Sequence, residues 1–138
     1  MSAPRPRVVA RWEMTANGVA LTAPDARVSP PAPAHDRRPR LRASDVVGLR
    51  EELAALAEQG VAEAVVEGDP TRVWTALAAD LVDVVSCDLE ALVALSPMSV
   101  VTGGAGVSHM DEAVRLSDVE VVFDGACVRI EGTVVRRA

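Results

Sequence analysis

The sequence predicts an α+β domain: a mainly antiparallel sheet built from N- and C-terminal β-hairpins, with two to three helices packed on one face. Three observations lead there. Asn17-Gly18 and Asp124-Gly125 are two-residue turn signals, each set between runs of alternating apolar residues. Between them the apolar period lengthens to that of a helix. No segment repeats. A doubly wound parallel sheet is disfavoured, because hairpin signals occupy both ends.

In the first hairpin, VVARWEMTANGVALTA, the Asn-Gly turn sets the register so that Trp12, Met14, Ala16, Val19, Leu21 and Ala23 share one face. Arg11, Glu13, Thr15, Ala20 and Thr22 share the other. Residues 24–43 then form a loop rich in proline and arginine, whose prolines keep it extended. Ser44 reads as an N-cap for a helix with the stripe Val46, Leu49, Leu53 and Leu56, ended by Gly60. Val61 to Asp69 reads as a short strand, with more helix as the alternative. Asp69-Pro70 opens a second helix with the stripe Val73, Leu77, Leu81 and Val84, which stops near Ser86 or runs to Leu95. Ser99–Thr102 reads as a buried strand, and Ser108 as the cap of a short helix to about Leu116. In the closing hairpin the two-residue turn pairs Phe123 with Ala126, Val121 with Val128 and Val119 with Ile130. On its other face it sets Glu120 against Arg129 and Cys127 against Val122.

The whole chain, 1–138, is one domain by length, and 49 % apolar residues suffice for a core. Its aromatics are Trp12, Trp74 and Phe123, too few for a platform that stacks sugars or single-stranded nucleic acid. The apolar stretch Val73–Val101 carries Asp80, Asp83, Asp88 and Glu90, which argues against a membrane span. The start lacks an apolar signal region, and two cysteines without a CxxC pair fit reduced thiols, so a cytoplasmic protein is expected.

Charge is segregated along the chain. Up to Arg50 there are nine arginines against four acids; from Glu51 onward, five against sixteen. The acidic majority would repel nucleic-acid phosphate. Arg37, Arg38, Arg40 and Arg42 therefore suggest a strap that docks on carboxylates of this chain or of a second copy, with Asp80, Asp83 and Glu90 as the acidic partners. Single exposed ion pairs are weak and matter as a network.

Reactive groups are sparse. On a continuous second helix Asp80, Asp83, Cys87 and Glu90 would share a face; a helix starting at Ser86 would instead place Cys87 in its first turn, where the dipole lowers a thiol pKa. The acidic surround argues against a nucleophile. His35, Cys87, His109 and Cys127 lack the spacing of zinc ligands, so no metal and no cofactor is expected. These readings favour a non-catalytic protein-interaction module (an adaptor, dedicated chaperone, immunity-type inhibitor or assembly component) that binds another protein or forms a homo-oligomer through an edge strand. The alternative is a small enzyme or ligand-binding domain. In TGGAGVSHMDE, residues Gly103, Gly104, Gly106, Ser108 and His109 would hold a phosphate- or carboxylate-bearing small molecule at a turn and helix start. The loop matches neither a dinucleotide fingerprint nor a P-loop.

Overall fold

In a computed structural model the described residues are 4–15, 37–68, 70–91, 93, 110–123, 125 and 127–136. Among them, five strands and two α-helices follow the order β1 (Arg7–Thr15), α1 (Val46–Glu58), β2 (Glu63–Glu67), α2 (Pro70–Ala78), β3 (Val84–Glu90), β4 (Leu116–Phe123) and β5 (Cys127–Val134). The strands form one sheet in the order β2-β1-β3-β5-β4. β1 lies parallel to both β2 and β3, while β5 lies antiparallel to β3 and β4. The sheet is mixed, and the expectation of a mainly antiparallel sheet between two terminal hairpins is corrected. Over Val9–Arg11, parallel strands occupy both flanks of β1. The second strand expected for the first hairpin, Val19–Ala23, lies outside the described residues.

The core explains this arrangement. Val8 and Ala10 of β1, Ala64 and Val66 of β2, and Val85 of β3 meet Leu49 and Leu53 of α1 and Val73 and Ala76 of α2 in one buried cluster. Both helices therefore cover the same side of the parallel strands. Residues 37–43 run beside β2, where Arg40 bridges Val65 in parallel, Leu41 N–H donates to Val65 O and Val65 N–H to Pro39 O. From this strap through α1 to β2, and from β2 through α2 to β3, the chain steps in one direction across the sheet. Two crossovers of common hand then place both helices on one face.

Local signals place the helix ends. Asp45, rather than Ser44, caps α1 by accepting from Gly48 N–H at 2.6 Å. Gly60, at φ +74°, turns the chain out of it. The second helix is shorter than expected: it ends at Ala78, Asp80 takes a left-handed φ of 59°, and Leu81 and Val82 lead into β3. Ser86, Cys87 and Glu90 thus belong to a strand. The short helix expected from Ser108 is represented, among the described residues, by a single 3-10 turn at Met110–Glu112, and Leu116 begins β4.

The C-terminal hairpin forms in a different register. Phe123 faces Val128, Val122 faces Arg129, Val121 faces Ile130 and Glu120 faces Glu131. This is a slip of two residues from the pairing a two-residue turn would impose. Gly125 still takes a positive φ of 85° in the connection.

Candidate functional site

At the carboxyl ends of the parallel strands, β2 stops at Glu67 and Gly68 turns at φ +86° toward α2, which starts at Pro70. A β-carbon on Gly68 would touch nothing within 4 Å, so glycine serves the backbone conformation there and not close packing. The first turn of α2 contains no acidic residue and includes Arg72. An arginine at the positive end of a helix is electrostatically unfavourable unless an anion compensates it. Its Nε donates to Ala43 O at 3.2 Å, which ties the guanidinium to the end of the strap. The strap end is fixed in turn by Glu52, whose carboxylate accepts from the N–H groups of Arg42 and Ala43 at 2.8 and 2.7 Å. Beside this edge Trp12 and Trp74 meet edge to face, with ring centroids 6.1 Å apart.

The sheet face away from the helices sets charged and polar side chains around the buried Val9, Val65 and Val84. Arg7 pairs with Glu63 and Arg11 with Glu67, each directly across the β1–β2 ladder, at 3.8 and 3.6 Å. Toward the carboxyl ends, Thr15, Ser86, Asp88 and Glu90 are buried, Glu90 to 2 % exposure. Asp88 receives Arg129 in a bidentate pair, Nε to Oδ1 at 2.8 Å and Nη2 to Oδ2 at 3.2 Å. The hydrogen bond with Asp88, opposed by a smaller burial cost, holds Arg129 above the ordinary guanidinium range. At the opposite ends of the strands a shallow depression between Arg7, Asp118, Glu120, Glu131 and Thr133 carries three carboxylates and one guanidinium. It would repel an anion.

The residues singled out from sequence separate into groups. Arg38 reaches Glu63 at 3.4 Å and Arg40 reaches Glu67 at 2.8 Å, both on β2. Arg42 engages Glu52 through its backbone N–H, and Arg37 is exposed. Asp80, Asp83 and Glu90 do not share a helix face. Asp80 and Asp83 are joined by Arg136; Asp83 also receives Arg5 and the Val8 N–H; Glu90 is buried at the end of β3. Gly103, Gly104, Gly106, Ser108, His109 and also His35 lie outside the described residues.

Cys87 sits on the helix-covered side of β3, opposite Trp12 and Ile130. Burial first, then the charges of Asp88 and Cys127, push its thiol up to about 12. The Trp12 indole N–H offsets part of this, although it makes no hydrogen bond of normal geometry. Such a thiol is inert at neutral pH. What sequence reasoning missed was the Gly68–Arg72 turn. Its signal was present in VVEGDPTR: a strand, a glycine, an N-cap, a proline and an arginine.

No family model matches this chain, and no curated protein matches it in sequence. Solved structures do match its fold. The chain is similar to the riboflavin biosynthesis reductase Rib7 of Saccharomyces cerevisiae, with a TM-score of 0.63 and 11 % identity over 96 % of this chain and 90 % of that one. It is similar to a diaminohydroxyphosphoribosylaminopyrimidine deaminase/5-amino-6-(5-phosphoribosylamino)uracil reductase of Thermotoga maritima, with a TM-score of 0.65 and 14 % identity over 95 % of this chain, but it spans only 57 % of that chain. A putative riboflavin biosynthesis protein of Shewanella sp. PV-4 gives 0.62 and 13 %, over 94 % and 99 % of the two chains. The fold is thus one found in enzymes of riboflavin biosynthesis. That overturns the expectation of a non-catalytic adaptor, chaperone or inhibitor with protein binding as its role, and favours the alternative of an enzyme or ligand-binding domain.

Proposed function

We propose that this chain is the ligand-binding part of a reductase-type enzyme, and that it holds a phosphate-bearing small molecule at the carboxyl ends of β1, β2 and β3. The observation that carries this reading is the Gly68–Arg72 turn. A parallel strand ends there in a left-handed glycine. The first turn of the helix that follows, from Pro70, includes an arginine and no acid, with Asp69 next before it in the sequence. In open α/β sheets ligands bind outside the carboxyl ends of the strands. Backbone N–H groups at a helix start, added to the dipole, favour an anion.

The named reductase and deaminase/reductase supply the class. The Thermotoga maritima protein acts on a phosphoribosylamino-uracil, a pyrimidine carrying a sugar phosphate. On this reading the phosphate of such a ligand sits over Thr71 and Arg72, and Arg72 is held in place by Ala43 O. Trp12 and Trp74 give the edge an apolar wall for the uncharged part of the ligand. Reduction also needs a reducing co-substrate, bound within reach of the substrate. The Asp88–Arg129 pair and the buried Glu90 keep the neighbouring sheet face rigid and polar. Gly103, Gly104, Gly106, Ser108 and His109 stay candidates for further ligand contacts, because the chain leaves the sheet at this same edge after Glu90.

Titration calorimetry tests the reading. A pyrimidine ribonucleoside 5′-monophosphate should bind measurably better than its unphosphorylated nucleoside. Arg72→Ala should weaken the phosphorylated ligand about tenfold or more, as expected for loss of a charge-assisted bond of about 1.5–3 kcal/mol. Equal binding of the two ligands, or an unchanged affinity in Arg72→Ala, would refute it.

A further inference from the structure

Ala43 is the point at which the strap, α1 and α2 are joined. Its N–H donates to Glu52 Oε1 at 2.7 Å, and the N–H of Arg42 donates to Oε2 of the same carboxylate at 2.8 Å. Its methyl group faces Gly48 of α1, where a β-carbon would come within 2.7 Å of it. Glycine is therefore what lets the start of α1 lie so close to the strap. The Ala43 carbonyl accepts from Arg72 Nε at 3.2 Å. That acceptor is neutral, and among the described residues no carboxylate pairs with the Arg72 guanidinium, so its charge stays available to an anion. An arginine held at Nε keeps both Nη groups in a defined plane and loses less conformational freedom on binding than an untethered one.

We infer that Glu52 is a positioning residue of the anion site: it fixes the Ala43 carbonyl, and the carbonyl fixes Arg72. This role rests on the ligand reading above and adds to it a residue of α1 that acts only through another side chain. A carboxylate suits the task, because two backbone N–H groups converge on it, one to each oxygen. An amide in its place has a single acceptor oxygen and turns a donor toward the other N–H. Coupling of this kind is reciprocal. An anion on Arg72 should in turn hold Ala43 against Glu52.

Calorimetric titration of the full chain with uridine 5′-monophosphate and with uridine tests it, in the wild type, Glu52→Ala, Arg72→Ala and the double variant. Glu52→Ala should weaken the nucleotide about threefold or more and leave uridine unchanged. Glu52→Gln should fall between it and the wild type. Gly48→Ala, which pushes on Ala43 without removing a hydrogen bond, should weaken the nucleotide in the same sense. The double variant should lose no more than Arg72→Ala alone. A residue that only stabilised the fold would instead weaken both ligands, or multiply its loss with that of Arg72→Ala, and either result would overturn the inference. Amide exchange adds a second readout: the nucleotide should slow exchange at Arg42 and Ala43 in the wild type and not in Arg72→Ala. Should Glu52→Ala fail to fold, Glu52→Gln and Gly48→Ala decide. Nucleotide affinity lost in Arg72→Ala but kept in the Glu52 and Gly48 variants would overturn this role and leave the ligand reading standing. Affinity indifferent to Arg72→Ala would overturn both.

Discussion

Asp83 shows how one side chain can tie distant parts of a chain together. Its carboxylate accepts from Arg5 at 2.9 and 3.1 Å and from the Val8 N–H at 2.8 Å, and it also receives Arg136, so residues near both ends of the chain meet at the start of β3. Burial opposes its ionisation, but the hydrogen bonds from Arg5, Val8 and Arg136 outweigh it and set its pKa below the ordinary 3.8. A carboxylate with a lowered folded pKa stabilises the fold above its unfolded pKa, and that stability is lost as pH falls through the folded value. Asp83→Ala should therefore cost about 1–3 kcal/mol near neutral pH, and the gap from wild type should close as the pH is lowered below 3.8. Chemical denaturation at several pH values checks this; a gap that widens in acid would contradict it. Cys87 gives a second prediction at this scale. With its thiol pushed up to about 12 and both cysteines buried, native protein at pH 8 should react with a thiol reagent far more slowly than unfolded protein.

At the scale of elements, the strap is the sharpest case of sequence reasoning seeing residues but misjudging forces. The arginine alternation in residues 37–42 is plain in the sequence, and it drew attention to ion pairs. In the structure Leu41 is buried in the core cluster, and backbone hydrogen bonds join Pro39 and Leu41 to Val65. Arg40 is largely exposed, and such a pair is worth about 0–1 kcal/mol. Arg40→Ala should thus cost less than about 1 kcal/mol, whereas Leu41→Ala should cost about 2–5 kcal/mol. Thermal unfolding of the two variants compares them directly. Helix α1 was legible because its stripe and its glycine stop are local signals. The end of α2 was not: Val84, Val85 and Cys87 continue an apolar run that fits a helix or a buried parallel strand equally well. The hairpin slip was invisible for a related reason. A shift of two residues leaves every side chain on its own face, so alternation cannot detect it; only the partner changes, and Arg129 finds Asp88 of β3 where Glu120 was expected.

At the scale of the whole molecule, the α+β class was legible but the strand order was not. Asn17-Gly18 drew attention to a partner for β1 in the residues following it, which lie outside the described residues; over Val9–Arg11, β1 lies between two strands from later in the chain. Nothing local encodes that placement. It follows from burial on the helix side, where Val8 and Ala10 are fully enclosed between the strands under α1 and α2. The site followed from the topology. A glycine loop attracts attention anywhere in a sequence, whereas Gly68 and Arg72 gain meaning only once they lie at the carboxyl end of a parallel strand. No helix among the described residues is long and apolar enough to cross a membrane.

That placement can be tested residue by residue with amide chemical shifts of the isotopically labelled chain, titrated with uridine 5′-monophosphate and, separately, with uridine. Phosphate held at the strand ends should move the amides of Gly68, Thr71 and Arg72, with the nucleoside moving them far less. Shifts centred instead on Arg7, Glu131 and Thr133 at the opposite end of the strands, or the same pattern from both compounds, would contradict the account.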